Sequence, residues 1–436
     1  AAGHPAAEMQ QARKVMALQP HSPQSLLVLW HAKRCDVRGP FARSPIAWGY
    51  RHRRRVQAMD PTAMNLHGCS FDATSRGRGQ TAAQPRALAA ATPADKNARS
   101  KSDAPAKEVD MGLRLQEKMS LWLAENHVPA VGVAIIENGK LQVARVFGEL
   151  RKGVPAPVDT LFEVASLTKP IVTMTTLKLV NRGKWDLDEP LDHYWIDPDI
   201  KDDPRHKKLT TRIVLSHQTG FPNWRSNSPS GKLAFEFEPG TKFQYSGEGF
   251  EYLRRAMEMK FGKPLEQIAG PVLLTPLGMK DTRFYWDNTL DESRFALPHD
   301  KDGNPLEHRW TKSALASDRL LTTVEDYGKF AVDVIKSAGL SRKLFNEMIR
   351  PQVAVPKAGG RSSSFGLGWE LMTDLSDGEY ALVHSGGDPG IRTLVILLPK
   401  TRRGLVVLTN GDNGMEVCTR VVVETLDVGE ELRKRS

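Results

Sequence analysis

The sequence predicts an α+β fold in which strands from both ends of the folded part share one sheet and a mainly helical stretch is inserted between them. Three observations lead there. Val131–Ile136 and Leu141–Phe147 are apolar runs on either side of Glu137-Asn138-Gly139-Lys140. An Asn-Gly pair in that setting marks a hairpin, because both residues tolerate positive φ. Strand signals return only late, at Tyr380–His384, Arg392–Leu398 and Leu405–Thr409, the last two β-branched and apolar. From about Ser166 to Arg350, helices and loops prevail, punctuated by Pro239-Gly240 and Gly262.

Along the chain, the first element is a basic extension, residues 1–108. The first hundred residues hold fifteen Lys and Arg against five acids, which accounts for the whole formal net charge of +10. The extension is rich in Ala, Arg, Ser, Pro and Gln and lacks sustained apolar periodicity. It is expected to be mostly disordered, since it cannot bury enough apolar surface to offset the entropy of ordering. Arg51, Arg53, Arg54 and Arg55 offer a contact to nucleic acid or an anionic surface. Basic runs are weak motifs, so a solvated, presequence-like extension is the preferred expectation. No apolar core of a secretory signal is visible, and Ser25–Trp30 is too short to span a membrane.

The folded part, 109–436, is read as an α/β portion (about 109–165 and 351–436) around a mainly helical one (about 166–350). Met111–Glu125 opens it as an amphipathic helix whose apolar rows are Leu113, Leu115, Met119, Leu121 and Leu123. A second helix runs from near Ser166 through Ile171, Met174, Leu177 and Val180 to a stop at Gly183. A last helix closes the chain from Met415 to about Leu432. Cys35, Cys69 and Cys418 form no disulfide framework. There is no HExxH, paired CxxC, P-loop or GxSxG pattern, so neither metal nor cofactor is expected and the α/β-hydrolase route is excluded.

The residues able to do chemistry begin with Ser166-Leu167-Thr168-Lys169, the one Ser-x-x-Lys of the chain. Pro170 is tolerated only in the first turn of a helix, so the helix must start within a few residues of Ser166. That places the hydroxyl at the positive end of the helix dipole, where backbone N–H groups face a developing oxyanion. Residues three apart share a helix face, so the Lys169 amine reaches the Ser166 oxygen. A lysine desolvated by apolar neighbours can lose its charge and accept the serine proton.

Several further segments accompany this one: Phe162-Glu163-Val164-Ala165 before the serine, Leu215-Ser216-His217-Gln218-Thr219-Gly220, Pro239-Gly240-Thr241-Lys242-Phe243-Gln244-Tyr245-Ser246-Gly247, Pro276-Leu277-Gly278-Met279 and His384-Ser385-Gly386-Gly387. In this order and spacing, from about Val109 to the C-terminus, the chain resembles the class C β-lactamase family, which also holds carboxylesterases, D-amino-acid peptidases and DD-peptidases. The resemblance implies a β-lactamase/penicillin-binding-protein-like fold, whose sheet is antiparallel. It also implies an acyl-enzyme mechanism without metal or cofactor, acting on a small-molecule ester or amide. Relatives occur both exported and in the cytoplasm, so no compartment follows.

The family's Tyr-x-Asn motif reads Tyr245-Ser246-Gly247 here. The tyrosine that shuttles protons is kept, but the side chain that binds a substrate amide is missing. Lys-Thr-Gly reads His384-Ser385-Gly386, which the resemblance makes substrate-binding, and the Gly387 amide would complete an oxyanion hole with that of Ser166. A histidine supplies charge only in part at neutral pH. His217 is expected to hold a turn. Glu248 is a candidate to pair with Lys169 in place of the absent Asn, and Arg392 to bind a substrate carboxylate. Loss of the Asn and Lys side chains favours a carboxylesterase on small acyl esters with weak β-lactam hydrolysis. A class C-type β-lactamase or D-amino-acid peptidase, and a non-catalytic ligand-binding relative, are the alternatives.

Overall fold

The computed structural model describes residues 104–308, 310–356 and 362–435. The expectations for the basic extension up to 103, its arginines, Cys35 and Cys69 lie outside these residues.

The first helix, α1 (Ala104–Asn126), starts earlier than the apolar pattern suggests. Of its five apolar positions, Leu115, Met119 and Leu123 are buried, whereas Leu113 and Leu121 face solvent at 54% and 59% exposure. The buried three recur every four residues and make one stripe, and the other two lie off it. The hairpin follows as expected, β1 (Ala130–Glu137) and β2 (Lys140–Arg151), with Asn138 at φ 54° and Gly139 at φ 70° in the turn. A two-residue β3 (Val154–Pro155) pairs on β2.

Toward the C-terminus come β4 (Val353–Pro356), β5 (Ser362–Phe365), β6 (Glu370–Met372), β7 (Ala381–Asp388), β8 (Ile391–Leu398) and β9 (Arg403–Thr409). All join one sheet in the order β3-β2-β1-β9-β8-β7-β6-β5-β4. Every pairing in it is antiparallel, and β1 zips directly onto β9, Val133 opposite Val407. The sheet is thus built from both ends of the folded part. The strands β3 to β6 are not signalled by the sequence: they are short, and Ser- or Pro-containing ones carry little β-propensity.

Both faces of the central strands are covered. On β1, β8 and β9, Val131, Val133, Ile135, Ile396, Leu398, Leu405 and Val407 pack with α1 and α5 (Gly414–Thr425). The alternate residues Ala134, Ile136, Val395, Leu397, Val406 and Leu408 pack on the other face. Strand side chains alternate, so burial of both faces produces the uninterrupted apolar runs seen in the sequence. The second face is covered by α4 (Val324–Ile335) and, beyond it, by α2 (Thr168–Asn181) and α3 (Gly247–Phe261). The expected closing helix is two helices, α5 and α6 (Gly429–Arg435). A Cβ at Gly429 would lie 2.3 Å from the Val422 carbonyl, so the break is tightly packed. Cys418 is a free, buried thiol on α5. Among the described residues no helix is long and apolar enough to cross a membrane.

Candidate active site

Ser166 sits in a short 3₁₀ turn, Ala165–Leu167, that feeds directly into α2, with Pro170 third in the helix as first-turn tolerance requires. The turn is pinned from several sides. The Val164 amide donates to the Leu320 carbonyl (2.9 Å), and the Thr393 hydroxyl on β8 donates to the Val164 carbonyl (2.9 Å). The Thr168 hydroxyl donates to the Ala165 carbonyl (2.7 Å), and the Tyr327 hydroxyl to that of Leu167 (2.8 Å). These bonds hold Ala165 at φ 46°, a left-handed conformation that costs a non-glycine residue about 1–2 kcal/mol.

Lys169 is 1% exposed. Its Nζ donates to Ser166 Oγ (3.0 Å) and to the Ser317 carbonyl (2.7 Å). It also lies 4.8 Å from the centre of the Tyr245 ring and 5.8 Å from that of Phe250. Tyr245 is stacked on His217, ring centres 4.3 Å apart. The Ser246 amide donates to His217 Nδ1 (3.1 Å), which puts the imidazole proton on Nε2, and burial holds this ring well below the ordinary histidine pKa. His217 is therefore the neutral platform on which the Tyr245 turn rests. Tyr245, distant in sequence, is thus brought beside the amine that Ser166 touches.

The third segment lies along β7. Its neighbour β6 stops opposite Val383, leaving His384–Asp388 on an open edge. That edge runs against the nucleophile turn so closely that a Cβ on Gly386 would fall 2.3 Å from Thr393 Oγ1, 2.6 Å from the Val164 carbonyl and 3.1 Å from the Ser166 nitrogen. Gly387 is the next residue, opposite Arg392 on β8. Ser385 is exposed and shares the far face of the strand with Val383, lining a cavity toward Leu394 and Met415.

Three expectations need correction. His384 supplies no charge at neutral pH: it is 5% exposed, and burial, reinforced by the Lys169 charge, pushes its pKa down to about 3. Its Nδ1 contacts the Ser385 carbonyl at 2.9 Å, so the ring is a neutral wall of the site, 6.3 Å from the Tyr245 ring. Arg392 is committed to Asp412 (3.0 Å) beside α5, which leaves its charge already compensated. Glu248 does not meet Lys169. It is bound by the Arg225 guanidinium (2.9 Å), which also holds Asp197 and Asp199.

The His384 shift has a measurable consequence. Its folded-state pKa lies below the unfolded one, so the unfolded chain takes up a proton that the folded chain refuses as pH falls from about 6.5 toward 3. Wild-type stability should therefore drop on acidification relative to His384→Gln, by at most about 1.4 kcal/mol per pH unit. Thermal melts of both proteins between pH 7 and pH 4 test this. A variant-minus-wild-type difference independent of pH would remove the buried neutral imidazole.

Beside the nucleophile turn lies a cluster that the sequence does not announce. Glu163, Asp318 and Asp388 bring carboxylate oxygens within 4.8 Å of one another, the one such grouping among the described residues with a geometry able to hold an ion. Burial pushes Glu163 and Asp318 up to about 7, and Asp318 is hydrogen-bonded to Asp388. Glu163 meets His308 at 3.3 Å, a contact in which burial favours the neutral form of both groups.

Position 247 is also explained. A Cβ there would be 3.0 Å from the Trp224 ring and 3.1 Å from the Asn223 carbonyl, so Trp224 stands where the missing side chain would begin. The Lys169 amine is held instead by the Ser317 carbonyl, a backbone atom that no residue pattern reveals. The sequence does not announce Glu251 either. Its signal is an acid amid Phe250, Tyr252, Leu253, Ala256 and Met257, all buried.

The sequence profile of the family described as Beta-lactamase matches residues 80–425. The chain is 24% identical over 311 residues to the D-alanyl-D-alanine-carboxypeptidase/endopeptidase AmpH of Escherichia coli K12, covering 64% of this chain and 79% of that protein. It is 28% identical over 231 residues to Esterase EstB of Burkholderia gladioli, covering 46% of this chain and 57% of the esterase. Among solved structures, the octameric penicillin-binding protein homologue from Pyrococcus abyssi superposes with a TM-score of 0.62 at 22% identity, over 72% of this chain and 77% of that one. The D-alanine carboxypeptidase AmpC from Burkholderia cenocepacia does so with 0.61 at 17% identity, over 73% and 98%. Both share the fold.

Proposed function

This chain belongs to the beta-lactamase family, and on that footing we propose that it is a serine hydrolase forming an acyl-enzyme on Ser166, most active as a carboxylesterase on small acyl esters. The observation that carries the reading is the Lys169 amine 3.0 Å from the Ser166 hydroxyl, with the Tyr245 ring 4.8 Å away.

In the proposed reaction Ser166 Oγ attacks the ester carbonyl carbon, and its proton passes to the Lys169–Tyr245 pair. The oxyanion of the tetrahedral intermediate is held by the Ser166 and Gly387 amides. The C–O bond then breaks, Tyr245 returns a proton to the departing alkoxide, and the alcohol leaves. Water attacks the acyl-enzyme by the same proton path, releasing the acid and restoring the serine.

The ester preference rests on what the site withholds. His384 is neutral, Arg392 is spent on Asp412 and Gly247 offers no amide-binding side chain, so the third-motif strand presents no free cation for a carboxylate-bearing substrate. A polar contact of that kind contributes roughly 1–3 kcal/mol, enough to separate good substrates from poor ones. The peptidase name of one relative and the esterase name of another frame the alternative, a β-lactamase or D-amino-acid peptidase.

Intact mass after a fluorophosphonate probe is expected to show one adduct, lost in Ser166→Ala. Turnover of p-nitrophenyl acetate and butyrate should exceed that of a chromogenic cephalosporin. Folded protein without an adduct would defeat the enzyme reading in favour of a ligand-binding relative, and a cephalosporin rate far above the ester rates would overturn the ester preference.

A further inference from the structure

We propose that Glu251, on α3, is the positioning residue for Lys169, acting through the Ser317 carbonyl. The inference rests on the serine-hydrolase reading and names the residue that aims the Lys169 amine.

The amine of Lys169 has two hydrogen-bond acceptors, Ser166 Oγ and the Ser317 carbonyl. The direction of the lysine head, and with it the approach to Ser166, depends on where that carbonyl stands. It stands in a segment with no regular structure of its own, followed by Arg319 at φ 65°. A segment of that kind needs an external anchor to hold a catalytic atom to a few tenths of an ångström.

Glu251 is that anchor. One carboxylate oxygen, Oε1, accepts from the Ala316 amide (2.8 Å), the Ser317 amide (3.1 Å) and the Ser317 hydroxyl (2.8 Å). Two successive amides converging on one oxygen fix the orientation of the peptide between residues 316 and 317, and through it the start of Ser317, whose carbonyl faces Lys169. The other oxygen, Oε2, accepts from Arg254 Nε (2.7 Å), whose Nη1 donates to Glu258 (2.8 Å). The carboxylate is thus held on both sides, its side chain only 15% exposed.

The same helix carries the phenol. Ser246 caps α3 by accepting from the Gly249 amide (3.0 Å), and Tyr245 precedes the cap. Glu251 lies one turn and a half inside. Tyr245 and the anchor of the Lys169 acceptor are therefore set from one element, which fixes the phenol relative to the carbonyl that aims the amine. A side chain at position 247 would crowd Trp224, and the Glu251–Ser317 link is what aims the lysine here.

The test uses the full chain with Glu251→Gln, Glu251→Ala and, as a control on the same helix, Glu258→Gln, which removes an Arg254 contact without touching Ser317. The readouts are kcat and KM for p-nitrophenyl butyrate, the rate of fluorophosphonate labelling of Ser166, and thermal melting. Glutamine keeps one acceptor oxygen but weakens three charge-assisted bonds. Expected are kcat falls of about 10-fold for Gln and about 100-fold for Ala, labelling rates falling in parallel, KM within about twofold and Glu258→Gln at wild-type kcat. Folded Glu251→Gln with wild-type kcat and labelling rate overturns the proposal, as does a fall matched by Glu258→Gln or confined to melting temperature. If Glu251→Ala does not fold, Glu251→Gln decides by itself. No wild-type adduct on Ser166 overturns the hydrolase reading and this role with it, whereas an adduct with unaltered Glu251→Gln rates overturns this role alone.

Discussion

Gly386→Ala is expected to lower kcat/KM for esters at least about 100-fold. The added methyl would sit 2.3 Å from Thr393 Oγ1, 2.6 Å from the Val164 carbonyl and 3.1 Å from the Ser166 nitrogen. None of these can yield cheaply. Thr393 donates to the same Val164 carbonyl, and Val164 is bonded through its amide to Leu320. Relief comes only by moving β7 away from the nucleophile turn, which separates the Ser166 and Gly387 amides proposed to hold the oxyanion. Loss of one such donor typically costs 10²–10³ in rate. Overpacking adds about 1–3 kcal/mol of lost stability, so the kinetics are to be read well below the variant's melting temperature. A folded variant with wild-type turnover would show that catalysis does not need β7 against the Ser166 turn.

Lys169→Met should lower kcat by about 10²–10⁴-fold while the protein stays folded. Methionine matches the length of the lysine stem and suits a site that is 1% exposed. Two stability effects oppose each other. Removing a buried amine is often neutral or favourable, whereas the Ser317 carbonyl loses the donor it receives at 2.7 Å, a cost of about 1–3 kcal/mol. A melting temperature within several degrees of wild type is therefore expected, against a near-complete loss of ester turnover and of Ser166 labelling. Turnover above a tenth of the wild-type value would remove Lys169 from the proton path.

The two variants probe parts of the site that differ in how openly the sequence declares them. Ser166 and Lys169 are local: three residues apart, one turn of a helix whose start Pro170 restricts. Gly386 is marked by its motif, yet its reason for being glycine is Thr393 and the Val164–Ser166 turn, the latter some 220 residues earlier in the chain and in contact only through the fold. The sheet divides in the same way. β1, β8 and β9 carry continuous apolar runs because both faces are covered, and such runs are visible in any sequence. β4 to β6 are held by pairing to a pre-existing edge, so their own residues need say little.

The charges around the site were the least legible. His384 and Arg392 are residues that chemistry permits to bind an anion, and their types alone favour that role. Burial beside Lys169 strips the first of its charge, and Asp412 occupies the second. Glu248, a candidate partner for the lysine, goes to Arg225, and Glu251, one turn away, goes to the loop that holds the lysine.

By itself the sequence determined the long strands at both ends, the hairpin, and a hydroxyl and an amine on one helical turn, because these follow from spacing along the backbone. Only the tertiary structure decided which groups keep their charge, which carbonyl receives the lysine, and what stands in the place of the missing side chain. Desolvation and hydrogen-bond competition depend on neighbours brought from distant parts of the chain, and no local pattern records who those neighbours are.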